Sequence, residues 1–219
     1  MNPHVTLTPP KPAPTLVTDV HVAPKDGHDR FALRLVKFMR IFADRFFAKR
    51  YGHRAVVLET VAAVPGMVGG LLQHLKAIRH IRDDEGWIRE LLDEAENERM
   101  HLMTFIEIAQ PTRLERLLIM GTQAIFYNFY FFLYLFAPRT AHRVVAYLEE
   151  EAVISYTQYL AEVDAGRVEN TPAPQIAIDY WRLSPDARLR DVIVAVRADE
   201  AGHRDVNHRF ADTIAGRHA

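Results

Sequence analysis

Glu98-Arg99-Met100-His101 and Glu200-Ala201-Gly202-His203 are the two stretches that decide how this chain is read. Each places a carboxylate and an imidazole three residues apart. On a helix that spacing puts both groups on one face, within reach of one cation. One such pair is common by chance. Two pairs on separate long helical segments are not, so the phase of each segment must be tested against its apolar positions.

The chain around the pairs reads as helix, with apolar residues spaced by three and four and little strand-like alternation. A first segment spans about 30–50 and a second about 54–82, where Pro65-Gly66 predicts a kink. A third runs from 85 to Pro111, a fourth from 112 to about 137, and a fifth from Pro138 to near Gly166. A short piece around 175–182 follows, and Ser184-Pro185 predicts the start of the last helix, with Ser as cap and Pro in the first turn.

The inward line of the third segment reads Ile88, Leu91, Ala95, Glu98, His101/Leu102, Phe105, and that of the last reads Leu189, Val192, Val196, Glu200, His203, Asn207. The second gives Val56, Glu59, Ala63, Met67, Gly70, and the fifth gives Val145, Glu149, Ala152, Tyr156, Tyr159, Val163. Four glutamates therefore stand where a bundle wants apolar side chains. A buried, unpaired carboxylate costs several kcal/mol, so four converging acids need cations between them. One Glu from each of two helices plus Glu-x-x-His from each of two others is the di-iron carboxylate arrangement of ferritin-like bundles. The expectation is an all-α, ferritin-like di-iron four-helix bundle with additional amphipathic membrane-interfacial helices. Its two iron ions would be held by Glu59, Glu98, His101, Glu149, Glu200 and His203. Within Glu149-Glu150-Glu151 the first is chosen because Tyr156 lies two turns on along nearly the same face. Tyr156 is either a donor of an electron and a proton to bound oxygen or a core aromatic. Asn97, Asp199 and Trp181 are candidates to orient the imidazoles from behind.

Composition narrows the chemistry. The chain has 219 residues, a formal net charge of -1 and no cysteine. Near-neutrality gives no argument for nucleic acid as partner. Without cysteine there is no disulfide, iron–sulfur cluster or thiolate zinc site, and the remaining His, Asp and Glu donors suit iron or manganese. Six of the twelve prolines precede residue 25, so residues 1–27 read as a flexible Pro-rich extension and 28–219 as the helical domain. No secretory signal is evident, and acids before the first arginine, Arg30, argue against a mitochondrial presequence.

The first segment interleaves Phe31, Phe38 and Phe42 with Arg34, Lys37 and Arg40, as an interfacial helix does. The fourth carries a long run of Phe, Tyr and Leu over 124–136, interrupted upstream by Thr122 and Gln123 and within by Asn128. Frequent tyrosine suits the headgroup boundary, so one leaflet is expected rather than a span. A buried bundle helix or a dimer interface is the competing use.

At this point the chain resembles a known family, the alternative oxidases. The resemblance is carried by residues 58–70 (LETVAAVPGMVGG), 97–102 (NERMHL), 138–143 (PRTAHR), 148–152 (LEEEA) and 197–208 (RADEAGHRDVNH), and covers about 30–212. It implies the same six ligands and an essential Tyr156. It also implies a quinol pocket formed by Arg54, Leu58, Glu151, Ala152 and Ser155, with Arg54 and Ser155 bonding the quinol oxygens. A cyanide-insensitive ubiquinol oxidase follows, reducing O2 to water without pumping protons. It would be monotopic in a membrane and usually a homodimer, here expected on the cytoplasmic face of a bacterial inner membrane. Gly202 departs from the family, which usually has a second His there. Ser155 replaces a frequent Thr, and the absence of cysteine excludes the thiol-based activation of plant members. The alternative activity is a di-iron quinone-biosynthesis hydroxylase. A storage or scaffold bundle, which would need a cage and an acidic entry route, is the alternative outside enzymes.

Overall fold

Local signals set where each helix begins and ends. The structure is a computed structural model that describes residues 20–47 and 51–216. Among the described residues there are seven helices: α1 Gly27–Phe47, α2 Tyr51–His80, α3 Trp87–Ala109, α4 Arg113–Phe136, α5 Pro138–Asp164, α6 Gln175–Trp181 and α7 Leu189–Gly216. Helix α3 closes on Gln110 in the left-handed region (φ 46°), directly before Pro111. A capping box opens α4: Glu115 N donates to Thr112 Oγ1 at 3.3 Å, and Thr112 N donates to Glu115 Oε2 at 2.8 Å. Pro138, whose missing N–H costs nothing in a first turn, starts α5.

Two sequence expectations are corrected here. Ser184-Pro185 does not open the last helix; the Ser184 hydroxyl bonds Asp186 within a turn. Helix α7 starts at Leu189, where the Arg188 N–H donates to Asp191 Oδ2 at 2.9 Å. Met67, placed on the inward line of α2, is 45% exposed. It belongs to an outward line that continues through Leu71, Leu75 and Ile78, all exposed.

The bundle consists of α2, α3, α5 and α7, with α5 packed along α7 and α2 along α3. Gly66 allows the second pairing, since a Cβ there would stand 2.3 Å from the Leu91 carbonyl oxygen and 2.9 Å from Ala95 Cβ. Pro65 lies inside the helix and is buried. Helix α1 packs outside α5, and α4 packs across α2 and α5. Residues 20–26, assigned to the extension by composition, are bonded to the bundle: Val22 N donates to Glu150 Oε1 at 2.9 Å and Tyr147 OH to Val22 O at 3.1 Å. Behind them the fully buried Arg143 pairs with the fully buried Asp29 at 3.0 Å. The rest of the proposed extension lies outside the described residues.

Candidate metal centre

Helix α3 has a buried stripe two residues wide, containing Glu94, Asn97, Glu98 and His101. Opposite it α7 presents Glu200 and His203, while α2 and α5 supply Glu59 and Glu149. The carboxyl groups of Glu59, Glu98, Glu149 and Glu200 and the imidazole of His101 are all buried. His101 Nδ1 stands 3.2 Å from Glu98 Oε2, 3.3 Å from Glu59 Oε2 and 3.4 Å from Glu200 Oε1. His203 Nδ1 is 2.6 Å from Glu98 Oε1 and 3.8 Å from Glu200 Oε2.

These donors form two overlapping sets, Glu59-Glu98-His101-Glu200 and Glu98-Glu149-Glu200-His203, each with its ligand atoms within 4.8 Å of one another. Glu98 and Glu200 belong to both sets. The arrangement thus offers two adjacent cation positions that share two carboxylates, with one Glu and one His private to each.

The electrostatics fit cations. Burial, together with the Glu200 and Glu98 charges, pushes Glu59 well above the usual carboxylate range. Burial and Glu200 do the same to Glu149. Burial would also raise Glu98, but the His101 and His203 charges outweigh it and hold Glu98 well below that range. Both imidazoles are in turn raised, against their burial, chiefly by Glu98. Protons are therefore divided among groups that cannot all ionise side by side. Glu59 Oε2 and Glu200 Oε2 have no hydrogen-bond partner among the described residues, and Glu98 Oε1 and His203 Nδ1 have only each other, as an ion pair without hydrogen-bond geometry. Orphaned polar atoms are costly in a protein interior. All four belong to the two donor sets, and the carboxylate and imidazole chemistry matches iron or manganese. The residues present fit a metal site.

Behind His101, Asp199 Oδ2 collects three groups: His101 Nε2 at 3.2 Å, Trp181 Nε1 at 2.8 Å and Asn97 Nδ2 at 3.0 Å. The Asn97 amide also donates to Tyr180 OH at 3.0 Å, and the Trp181 ring stacks on His101 with centroids 5.7 Å apart. Burial raises the Asp199 carboxyl, but His101, Trp181 and Asn97 outweigh it and leave Asp199 below its ordinary value. On the other side, the buried Tyr156 hydroxyl donates to Glu59 Oε1. Burial and the Glu59 charge raise Tyr156 well above the normal phenol range, so it stays protonated.

A cavity of about 750 Å³ reaches this cluster. Its lining runs from Leu114, Leu118 and Phe126 on α4 through Arg54, Leu58, Glu151 and Ala152 to Glu59, Glu149 and Glu200. Arg54 is buried and paired with Asp44 at 2.6 Å, and Glu151 is paired with Arg40, so α1 is fastened over the cavity wall. Ser155, one turn beyond Glu151, is buried outside the described lining. Glu150 faces away from the cluster and bonds His208 and Val22.

The alternative oxidase family profile matches residues 13–212, the stretch holding every one of these groups. The chain belongs to the alternative oxidase family. It is 59% identical over 195 residues, 89% of this chain, to "Ubiquinol oxidase, mitochondrial" of Batrachochytrium dendrobatidis. The mango (Mangifera indica) protein of the same name is 59% identical over 192 residues, 88% of this chain. "Ubiquinol oxidase 2, mitochondrial" of Arabidopsis thaliana is also 59% identical over 192 residues, 88% of this chain. The chain spans 62%, 60% and 54% of the lengths of these three relatives. All three are mitochondrial by name, and they give no support to a bacterial inner membrane. Gly202, the departure from the alternative oxidase pattern, has nothing within 4 Å of where a Cβ would stand.

Sequence reasoning missed Glu94. It is 5% exposed, lies one turn before Glu98, and is pushed up to about 7 by burial, against the pull of His203 and Asn207. Its signal was in the sequence: position 94 shares the inward stripe with Leu91 and Glu98.

Proposed function

We propose that this chain is a ubiquinol oxidase that couples oxidation of two quinols to the four-electron reduction of O2 to water, without moving charge across the membrane. The carrying observation is the apolar cavity that leads from the exposed face of α4 to three of the six clustered donors. Family membership and the names of the relatives support it. Two iron ions, shared by Glu98 and Glu200 and completed by Glu59 with His101 and Glu149 with His203, would supply the electron transfer and the oxygen chemistry.

The chain's own residues divide the remaining work. Leu58 and Ala152 give the quinol ring an apolar seat, and Arg54 is the hydrogen-bond donor for a quinol oxygen. Glu151, across the same cavity, accepts from the quinol hydroxyl. Ser155, buried one turn beyond Glu151, is with Arg54 the other group expected to bond a quinol oxygen. Tyr156 holds a proton at its hydroxyl oxygen against Glu59 Oε1, one hydrogen bond from the donor cluster, where a proton and an electron are needed as oxygen is reduced. Asp199 holds the His101 ring with Nδ1 facing the cluster, assisted by Trp181 and Asn97.

Among the described residues two helices are long and apolar enough to cross a membrane by length and composition, α2 and α4. The apolar window of α2 is 67% buried within the bundle, and that of α4 only 17%. Leu117, Met120, Ile125, Phe132 and Phe136 on α4 and Phe31, Phe38 and Ile41 on α1 are exposed. This apolar surface, with the cavity opening beside it, fits insertion into one leaflet. The separate exposed line of Met67, Leu71, Leu75 and Ile78 on α2, with Leu92 on α3, fits pairing into a homodimer.

The deciding experiment is oxygen uptake by the iron-loaded protein in liposomes with a ubiquinol analogue and cyanide. Cyanide-resistant uptake at two quinols per O2 is expected. Iron-loaded protein that consumes no quinol would overturn the oxidase reading, and labelled oxygen in a quinone product would replace it with hydroxylation.

A further inference from the structure

The His203 half of the centre is backed by a set of buried polar groups with no task so far. Glu98 meets His203, Glu94 meets Asn207, and at the exposed end Glu90 Oε1 accepts from Arg209 at 2.5 Å. These contacts step in opposite directions along α3 and α7, so the helices are antiparallel there. The Glu94–Asn207 contact therefore lies one helical turn, about 6 Å, from the Glu98–His203 contact.

Hydrogen-bond bookkeeping fixes the direction of this set. Asn207 Nδ2 donates to the two Glu94 carboxylate oxygens at 3.1 and 2.9 Å and to the His203 carbonyl oxygen at 3.0 Å. With both amide protons so engaged, Asn207 Oδ1 is the acceptor for His142 Nδ1 at 2.9 Å. The proton of His142 is then on Nδ1, and Nε2 accepts from Tyr134 OH at 3.0 Å. Tyr134 in turn accepts from Gln73 Nε2 at 3.0 Å. His142 is fully buried, which lowers it to about 4 and keeps it neutral in this one tautomer. Every donor from Gln73 onward points toward Glu94. Aligned bonds polarise one another and favour negative charge at the end they point to.

We propose that Glu94 is a positioning residue for the His203 half: a buried carboxylate beside the four clustered glutamates, held by the chain Gln73–Tyr134–His142–Asn207, that fixes the turn of α7 carrying His203 and places a negative field behind it. It serves His203 as Asp199 serves His101, through the backbone and the field instead of a direct bond to the ring. A carboxylate there favours the more positively charged, oxidised centre over the reduced one. The inference rests on the reading that the six donors hold two iron ions.

The test uses the full chain, iron-loaded and at pH 8, above the value of about 7 to which burial pushes Glu94, as Glu94→Gln, Glu94→Asp and Tyr134→Phe. Iron stoichiometry, iron affinity against a competing chelator and the midpoint potential are measured, with circular dichroism as the control for folding. Glu94→Gln keeps volume and removes charge. It is expected to bind iron about tenfold more weakly or worse and to shift the midpoint potential to more positive values. Glu94→Asp returns the potential toward wild type, and Tyr134→Phe shifts affinity and potential in the same direction as Glu94→Gln by less. Wild-type affinity and potential in Glu94→Gln would overturn the proposal. Should that variant fail to fold, Tyr134→Phe, which loses one hydroxyl, decides in the same way. Wild-type protein that binds no iron would defeat the underlying metal reading and this inference with it. Two irons in the wild type with unaffected variants would defeat this inference alone.

Discussion

The two halves of the donor cluster have the same local sequence pattern and different surroundings. His101 is backed directly: Asp199 Oδ2 meets its Nε2 at 3.2 Å and is itself held by Trp181 and Asn97. Behind His203 the nearest buried acid, Glu94, is bonded to Asn207 and not to the ring. His101 is fully buried, whereas the His203 side chain is 12% exposed. Glu-x-x-His thus brings a carboxylate and an imidazole together, but much of what stiffens each pair comes from other helices. The His101 half is braced by α7 and α6, the His203 half by α3, α5 and α4.

The largest effect should come from what the halves share. Glu98→Ala removes a donor from both sets and should abolish iron binding and oxygen uptake together, as read by metal analysis and respirometry. Tyr156→Phe acts on the Glu59 side alone. It should keep both irons while turnover falls by about 100-fold or more, on the scale of lost proton-transfer groups; unchanged turnover would leave Tyr156 as a packing residue. Asp199→Asn unlocks only the His101 ring and should weaken iron binding or activity about 10- to 100-fold, measured by chelator competition.

On the His203 side the readout is stability. Burial lowers His142 from 6.5 to about 4. The unfolded chain therefore takes up a proton that the folded chain refuses. This group's contribution is fully present above pH 6.5 and is lost as pH falls toward 4, on the order of 3 kcal/mol across that window. Denaturant titrations of wild type and His142→Gln should converge as pH falls through it; a constant difference would mean that His142 does not titrate there. The smallest effect belongs to Gly202→Ala. With open space beside a helical glycine, the substitution should stabilise by up to about 1 kcal/mol, seen as a higher denaturant midpoint with iron content unchanged.

The clustering of the six donors was readable because acids on an apolar line are conspicuous, and the helix ends because Pro111 and Pro138 leave little choice. Glu94 is not on the inward line that spacing gives for α3, which passes through Ala95, whereas the buried stripe is two residues wide and includes 94, 97, 100 and 104. Met67 differs for a related reason: α2 packs chiefly against α3 and α4, and its exposed line of Met67, Leu71, Leu75 and Ile78 is as apolar as the faces it buries, so spacing alone does not tell them apart. Ser184-Pro185 has the composition of a helix start, yet its hydroxyl is taken by Asp186. The cavity has no sequence signature, because its walls come from α1, α2, α4, α5 and α7 at once and exist only after packing.

That cavity, opening beside the exposed apolar surface of α4, carries a consequence for kinetics. A reactant that enters from within a leaflet is counted by its mole fraction among lipids, not by its concentration in the surrounding water. Adding empty lipid to a fixed amount of enzyme and quinol would dilute the reactant on the surface and slow turnover with the bulk concentrations of both unchanged. On the proposed quinol-oxidase reading, turnover would respond to the composition of the membrane as other enzymes respond to the composition of the cytosol.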